Sequence, residues 1–195
     1  MQNKNPTFNL YVGPMFSGKT SMLLLSLEKH KHQGKKCIVF KPKIDDRYSA
    51  TNVVSHGGAQ ASSVAVASGA DVLKYLSDLD SQPQVVAVDE AFMIPGIADA
   101  LIYLYRLGMT ILVSTLEISA ACKPFNEPER MMPWATEIHK MSAACVVCGS
   151  DAFYTYKKED NDNEIEVGGV ELYEPRCRHH HPYFIFTESS SLQGA

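Results

Sequence analysis

The chain has 195 residues, 45% of them hydrophobic, with a formal net charge of −4 and a pI near 6.0. That is enough apolar material for one compact core with a small appendage, and the acidic balance argues against a broad basic surface for holding a nucleic-acid partner. The polar start MQNKNPT and the lack of any apolar run of membrane-span length predict no signal, no anchor and a cytoplasmic location.

Four apolar runs mark the chain: FNLYV, CIVF, VVAV and TILV. None alternates strictly, so they read as strands buried on both faces of a parallel sheet. Helical segments fall between them. TSMLLLSLEKHKH follows the first run and stops at Gly34; DVLKYLSDL and IADALIYLYRLG follow later, the last ending at Gly108. The expected fold is therefore α/β, a P-loop NTPase-like parallel sheet with helices on both faces, across residues 1–141. Near Met141 the alternation gives way to Cys-rich turns, aromatic residues and the acidic stretch KKEDNDNEIE. A second, smaller unit is expected over 142–186, and the small polar tail 187–195 is expected to be disordered.

Directly after FNLYV stands GPMFSGKT, a match to G-x-x-x-x-G-K-[ST] with the required strand before and helix after. Glycines let several N–H groups converge on one anion, and the positive end of the helix adds to them. Lys19 is suited to the β- and γ-phosphates of ATP, and the Thr20 hydroxyl to Mg²⁺. VVAVDE ends a strand in Asp89, the position of a Walker-B carboxylate, and the adjacent Glu90 is placed to accept a proton. One carboxylate for metal and one for a proton suits phosphoryl transfer to a hydroxyl.

The five cysteines are an odd set with uneven spacing, which fits a disulfide framework poorly. CVVC and CRHH bring Cys145, Cys148, Cys177 and His180 into two C-x-x-[CH] knuckles, the spacing of a zinc ribbon. The set is closed, so the Zn²⁺ is expected to be structural. His179 and His181 remain alternatives to His180, which the repeated spacing favours.

GPMFSGKT, KPKIDDRYS, SHGG, VDEA, KPF, AACVVCG, FYTYK and VGGVELYEPRCRHH occur in the order found in the type II thymidine kinases, the cytosolic, zinc-containing class. From Asn9 to His181 the chain resembles that family. The resemblance implies a P-loop domain carrying a zinc-anchored lasso that closes over the nucleoside, usually within a homotetramer. It implies transfer of the ATP γ-phosphate to the 5′-hydroxyl of thymidine, in nucleotide salvage, with dTTP as a feedback ligand. Residues Gly13, Pro14, Met15, Phe16, Ser17, Gly18, Lys19 and Thr20 with Asp89 then hold ATP·Mg²⁺, and Glu90 looks like the catalytic base. Asp45 and Arg47 match the D-x-R-Y segment, where the arginine suits phosphate charge. Met15, Met93, Leu116, Phe125 and Thr155 fall on base-pocket positions, and Val167, Gly168, Gly169 and Tyr173 on the lasso.

Some residues depart from the family pattern. Phe92 stands where glutamine is usual, Met93 where phenylalanine is, Ala120 where an aromatic is, Glu117 for aspartate and Lys157 for arginine. The phosphate and zinc machinery is kept while the nucleoside walls change. Two other readings are a catalytically weakened regulatory homologue, which the altered walls favour, and a zinc-ribbon nucleic-acid binder with ATPase activity, which the acidic balance disfavours.

Overall fold

The structure is a computed structural model describing residues 5–45, 52–54, 58–159 and 167–185. In chain order it contains β1 (Phe8–Val12), α1 (Lys19–His32), β2 (Cys37–Pro42), β3 (Asn52–Val54), β4 (Gln60–Ser62), β5 (Val64–Val66), α2 (Gly69–Ser77), β6 (Val85–Val88), α3 (Ile97–Arg106), β7 (Thr110–Thr115), α4 (Asn126–Met131), β8 (Glu137–Lys140), β9 (Ala143–Ala144), β10 (Asp151–Ala152), β11 (Tyr154–Lys157) and β12 (Tyr173–Arg176). Six strands form one parallel sheet in the order β5-β2-β6-β7-β1-β8. The pairs β3–β4, β9–β10 and β11–β12 are antiparallel.

The apolar runs are sorted by the two-residue period of the strand. Phe8, Leu10 and Val12 of β1, Val86 and Val88 of β6, and Ile111 and Val113 of β7 enter one core. There they meet Val72 and Leu76 of α2, Ile97, Leu101 and Leu104 of α3, and Met131 of α4. The intervening Tyr11, Val85, Ala87 and Leu112 enter the other core, under Leu23, Leu24 and Leu27 of α1. Burial on both faces explains why these strands show no polar alternation. A one-residue slip of any of them would exchange its two sets of side chains.

Several elements, β5, β8 and α4 among them, had no distinct sequence signal. The strands β5 and β8 flank the sheet, and α4 is a single short turn of NEPERM. The segment Glu137–Lys140 is exposed throughout, so nothing apolar marks it as a strand. Pairing to β1 alone defines it, helped by the Phe8 N–H bond to Thr136 Oγ1 at 2.9 Å and the stack of His139 on Tyr11.

The short helix α4 has a distinct task. Its buried Glu127 carboxylate accepts the N–H groups of Gly96 at 2.9 Å and Ala98 at 2.8 Å, capping the start of α3 from a distance. A negative charge there satisfies unpaired donors and matches the positive end of the helix. Gly69 lies against the same turn, with its N–H on Pro95 O at 2.9 Å, and a Cβ on it would stand 2.1 Å from Gly96 O. Replacing Glu127 with alanine strands two donors and is expected to cost about 2–4 kcal/mol of unfolding free energy. Glu127→Gln, which keeps an acceptor, should lose less than half of that in urea titration.

Candidate functional site

The loop after β1 is shaped by its glycines and by one strained residue. Gly13 has φ +139°, Gly18 +83°, and Phe16, with no glycine freedom, +65°. Gly18 caps α1, whose first turn carries no acidic side chain, so the positive end of the helix is left for an anion. Lys19 is only 6% exposed, and its Nζ donates to Pro14 O at 2.7 Å, as does Ser17 Oγ at 2.8 Å. The loop thus folds its own carbonyl around the ammonium, which preforms the cradle.

Across the sheet the Thr20 hydroxyl reaches Asp89, 3.1 Å from Oδ1 and 3.3 Å from Oδ2. Asp89 follows β6 and its N–H is held by Phe40 O of β2 at 3.0 Å. Burial and the neighbouring Glu90 push the Asp89 carboxyl up to about 7, against the pull of the Ser114 and Thr20 hydroxyls and of Lys19. A buried acid poised between its two forms suits a group that takes up a cation. Glu90 sits in the left-handed region at φ +49°, and its carbonyl accepts the Met93 N–H at 3.0 Å. That turn sends Asp89 toward Thr20 and the next residues toward an apolar cluster.

The cluster comprises Phe92, Met93, Leu116 and Phe125, with Met15 and Val167 packed on it. Phe92 and Phe125 stack at 4.7 Å between centroids, tilted by 36°. Five of these six residues were expected on the nucleoside side from the resemblance; Phe92 was expected only as a departure. Its ring packs beside Phe125 within the cluster. The sequence suggests Phe92 as a compensating aromatic, and the packing gives it Phe125 as its ring partner.

Thr155 of β11 joins the phosphate loop directly, its Oγ1 accepting the Met15 N–H at 3.0 Å. Its carbonyl lies 3.1 Å from Nε2 of His181, a 2% exposed imidazole whose Nδ1 accepts the Tyr183 N–H at 3.3 Å. Burial holds that imidazole below its usual range, so it is neutral at pH 7 and donates from Nε2. His181 is therefore occupied in a ring cluster with Tyr154, Tyr156 and Phe184.

His180 instead turns to the cysteines, with Nδ1 3.1 Å from Cys177 Sγ and 3.8 Å from Cys145 Sγ. Cys148 and Cys177 sulfurs are 3.8 Å apart, and all four ligand atoms lie within 4.8 Å of one another. Zinc–sulfur bonds of about 2.3 Å in a tetrahedron imply a sulfur–sulfur edge of about 3.8 Å, so the set fits structural zinc.

The remaining predicted residues fall as follows. Asp45 is buried just past β2. Tyr173 is buried at the start of β12, its N–H on Gly169 O at 3.0 Å, and Gly168 and Gly169 form the approach to it. Arg47, the acidic middle of the insertion and the tail 187–195 lie outside the described residues. Sequence reasoning passed over Glu117, whose carboxylate accepts the Gly13 N–H at 2.7 Å. Its only signal was the glutamate-for-aspartate departure.

A pH dependence follows from Asp89. Its carboxyl in the fold lies above the ordinary 3.8, so the protonated acid's contribution is complete below about pH 4 and is lost as pH rises through about 7. Without added Mg²⁺, the unfolding free energy of the wild type should fall relative to Asp89→Asn over that window, by a few kcal/mol. Paired urea titrations from pH 4 to 8 measure the difference, and parallel curves would rule it out.

The family model described as thymidine kinase matches residues 6–181. The matched span runs from just before β1 through the Cys3His set to His181. With nearly its whole length matched, the chain belongs to the thymidine kinase family.

Proposed function

We propose that the chain is an ATP-dependent nucleoside kinase acting on thymidine, giving ADP and dTMP. The supporting observation is one of adjacency: Asp89 joins Thr20 of the phosphate loop, and two residues later Phe92 opens an apolar, aromatic wall. Between them stands Glu90, part-buried at the bend, with one carboxylate oxygen shielded from solvent. Residues 13–20 bind the triphosphate, with Lys19 offsetting charge on the phosphoryl in flight. Thr20 and Asp89 would hold Mg²⁺, which supplies neutralising charge at the phosphates. Glu90 takes the proton of the 5′-hydroxyl, and Arg47 adds positive charge from the segment after β2.

On the nucleoside side, Met15, Met93, Leu116, Phe125 and Val167 enclose the base with Phe92, while Thr155, Asp45 and the Gly168–Gly169–Tyr173 turn supply polar and backbone contacts. Aromatic stacking against a base is worth about 1–3 kcal/mol, so the Phe92–Phe125 pair offers an aromatic contribution that Ala120 lacks. The zinc unit over residues 142–186 acts as the lasso, with Zn²⁺ on Cys145, Cys148, Cys177 and His180 stiffening its base. A cytoplasmic homotetramer that binds dTTP as a feedback ligand belongs to the same reading.

The decisive assay is ADP release with ATP·Mg²⁺ and separate nucleosides. Thymidine-dependent release is expected; release without any nucleoside dependence supports a regulatory homologue instead. Glu90→Gln should lower kcat by about 10²–10⁴-fold while leaving the Kd for ATP within about threefold. A variant that keeps its turnover removes Glu90 as the base. The zinc assignment predicts one Zn²⁺ per chain by elemental analysis, and Cys148→Ser should lose that metal and raise the KM for thymidine more than that for ATP.

A further inference from the structure

The first amide of the phosphate loop is held from outside the loop. Gly13 N–H donates to Glu117 Oε2 at 2.7 Å, and Glu117 is 7% exposed. Its Oε1 lies 3.2 Å from the ammonium of Lys140, the last residue of β8, whose own side chain is 52% exposed. On its other side Gly13 meets the chain again: Met141 N–H donates to Val12 O at 2.8 Å, and a Cβ on Gly13 would stand 2.3 Å from Met141 O. The start of the loop is thus gripped between a carboxylate and a backbone.

Glu117 also belongs to the nucleoside side. It follows Leu116 of the apolar cluster, and its carbonyl accepts the N–H of Phe125, another member, at 3.0 Å. One residue therefore touches the phosphate loop, the nucleoside wall and the strand that leads into the Cys3His unit. A buried carboxylate so near an anion-binding loop opposes an incoming triphosphate unless a cation offsets it. Lys140 is that cation, close enough to pair and exposed enough to stay charged.

We propose that Glu117 is a positioning residue that locks the start of the phosphate loop to the nucleoside wall, with Lys140 cancelling its charge toward ATP. The proposal rests on the phosphoryl-transfer reading for its purpose, but its test does not depend on turnover.

The affinity of Mg²⁺ and a fluorescent N-methylanthraniloyl ATP is measured for the wild type, Glu117→Ala, Glu117→Gln, Lys140→Met and the double variant Glu117→Gln/Lys140→Met, beside thermal midpoints and the KM for each substrate. Glu117→Ala leaves the Gly13 donor unmet and should weaken ATP about tenfold, whereas Glu117→Gln keeps an acceptor and should stay within about threefold. Lys140→Met exposes the loop to an uncompensated carboxylate. Because the pair is partly solvated, the expected loss is only about threefold, and adding Glu117→Gln should restore it. Equal ATP affinity in all five proteins, or a double variant no better than Lys140→Met, overturns the proposal. If Glu117→Ala does not fold, the Lys140 pair of variants decides alone. A wild type that binds ATP but releases no ADP with thymidine sinks the kinase reading and leaves this comparison intact.

Discussion

Lys19 carries a positive charge almost out of water, held by the Pro14 carbonyl inside a loop of residues with unusual backbone angles. Keeping an ammonium there requires that it be hydrogen-bonded and electrostatically compensated, and the groups around it supply this. Asp89 is delivered to the neighbourhood by β6, and Thr20 links it to the first turn of α1. Burial, and after it the neighbouring Glu90, raises the carboxyl of Asp89, and the pull of Lys19 and the Ser114 and Thr20 hydroxyls offsets this only in part.

The sheet makes that arrangement possible by being buried on both sides. Successive residues of β1 enter opposite cores, so the strand has no freedom to slide, and the loop at its end inherits a fixed position. The strand β8 then runs alongside β1 and ends next to Gly13. As a result the Cys3His unit begins where the phosphate loop begins. Thr155 and Glu117 complete the junction from two directions, each giving a side-chain oxygen to a loop amide. The apolar cluster and the glycine-rich loop are thereby parts of one framework, although they come from five separate stretches of chain.

Much of this was legible in the residues themselves. GPMFSGKT was recognisable as a motif from its spacing alone, since the glycines, the lysine and the threonine lie within one short loop and the first turn of a helix. The strands FNLYV, VVAV and TILV announced themselves because burial on both faces favours apolar side chains along most of their length, Asn9 and Thr110 excepted. The paired C-x-x-[CH] knuckles were readable for a similar reason: each supplies two ligands locally, and only the pairing of the knuckles is long-range. The choice among His179, His180 and His181 was open on chemistry alone. It is decided by packing, which commits His181 to Thr155 and an aromatic cluster and leaves His180 beside the sulfurs.

What the sequence alone determined was therefore the local chemistry: a phosphate loop, an acidic pair after a buried strand, two metal knuckles and an α/β alternation. What only the tertiary structure decided was which distant groups share a site. The exposed run Glu137–Lys140 becomes a strand solely through its partner β1, Phe92 joins the apolar cluster beside Phe125, and the Glu117 carboxylate meets the Gly13 amide solely because two loops come together. Such roles depend on distances across the fold, and those distances leave no periodicity or spacing for a linear reading to detect.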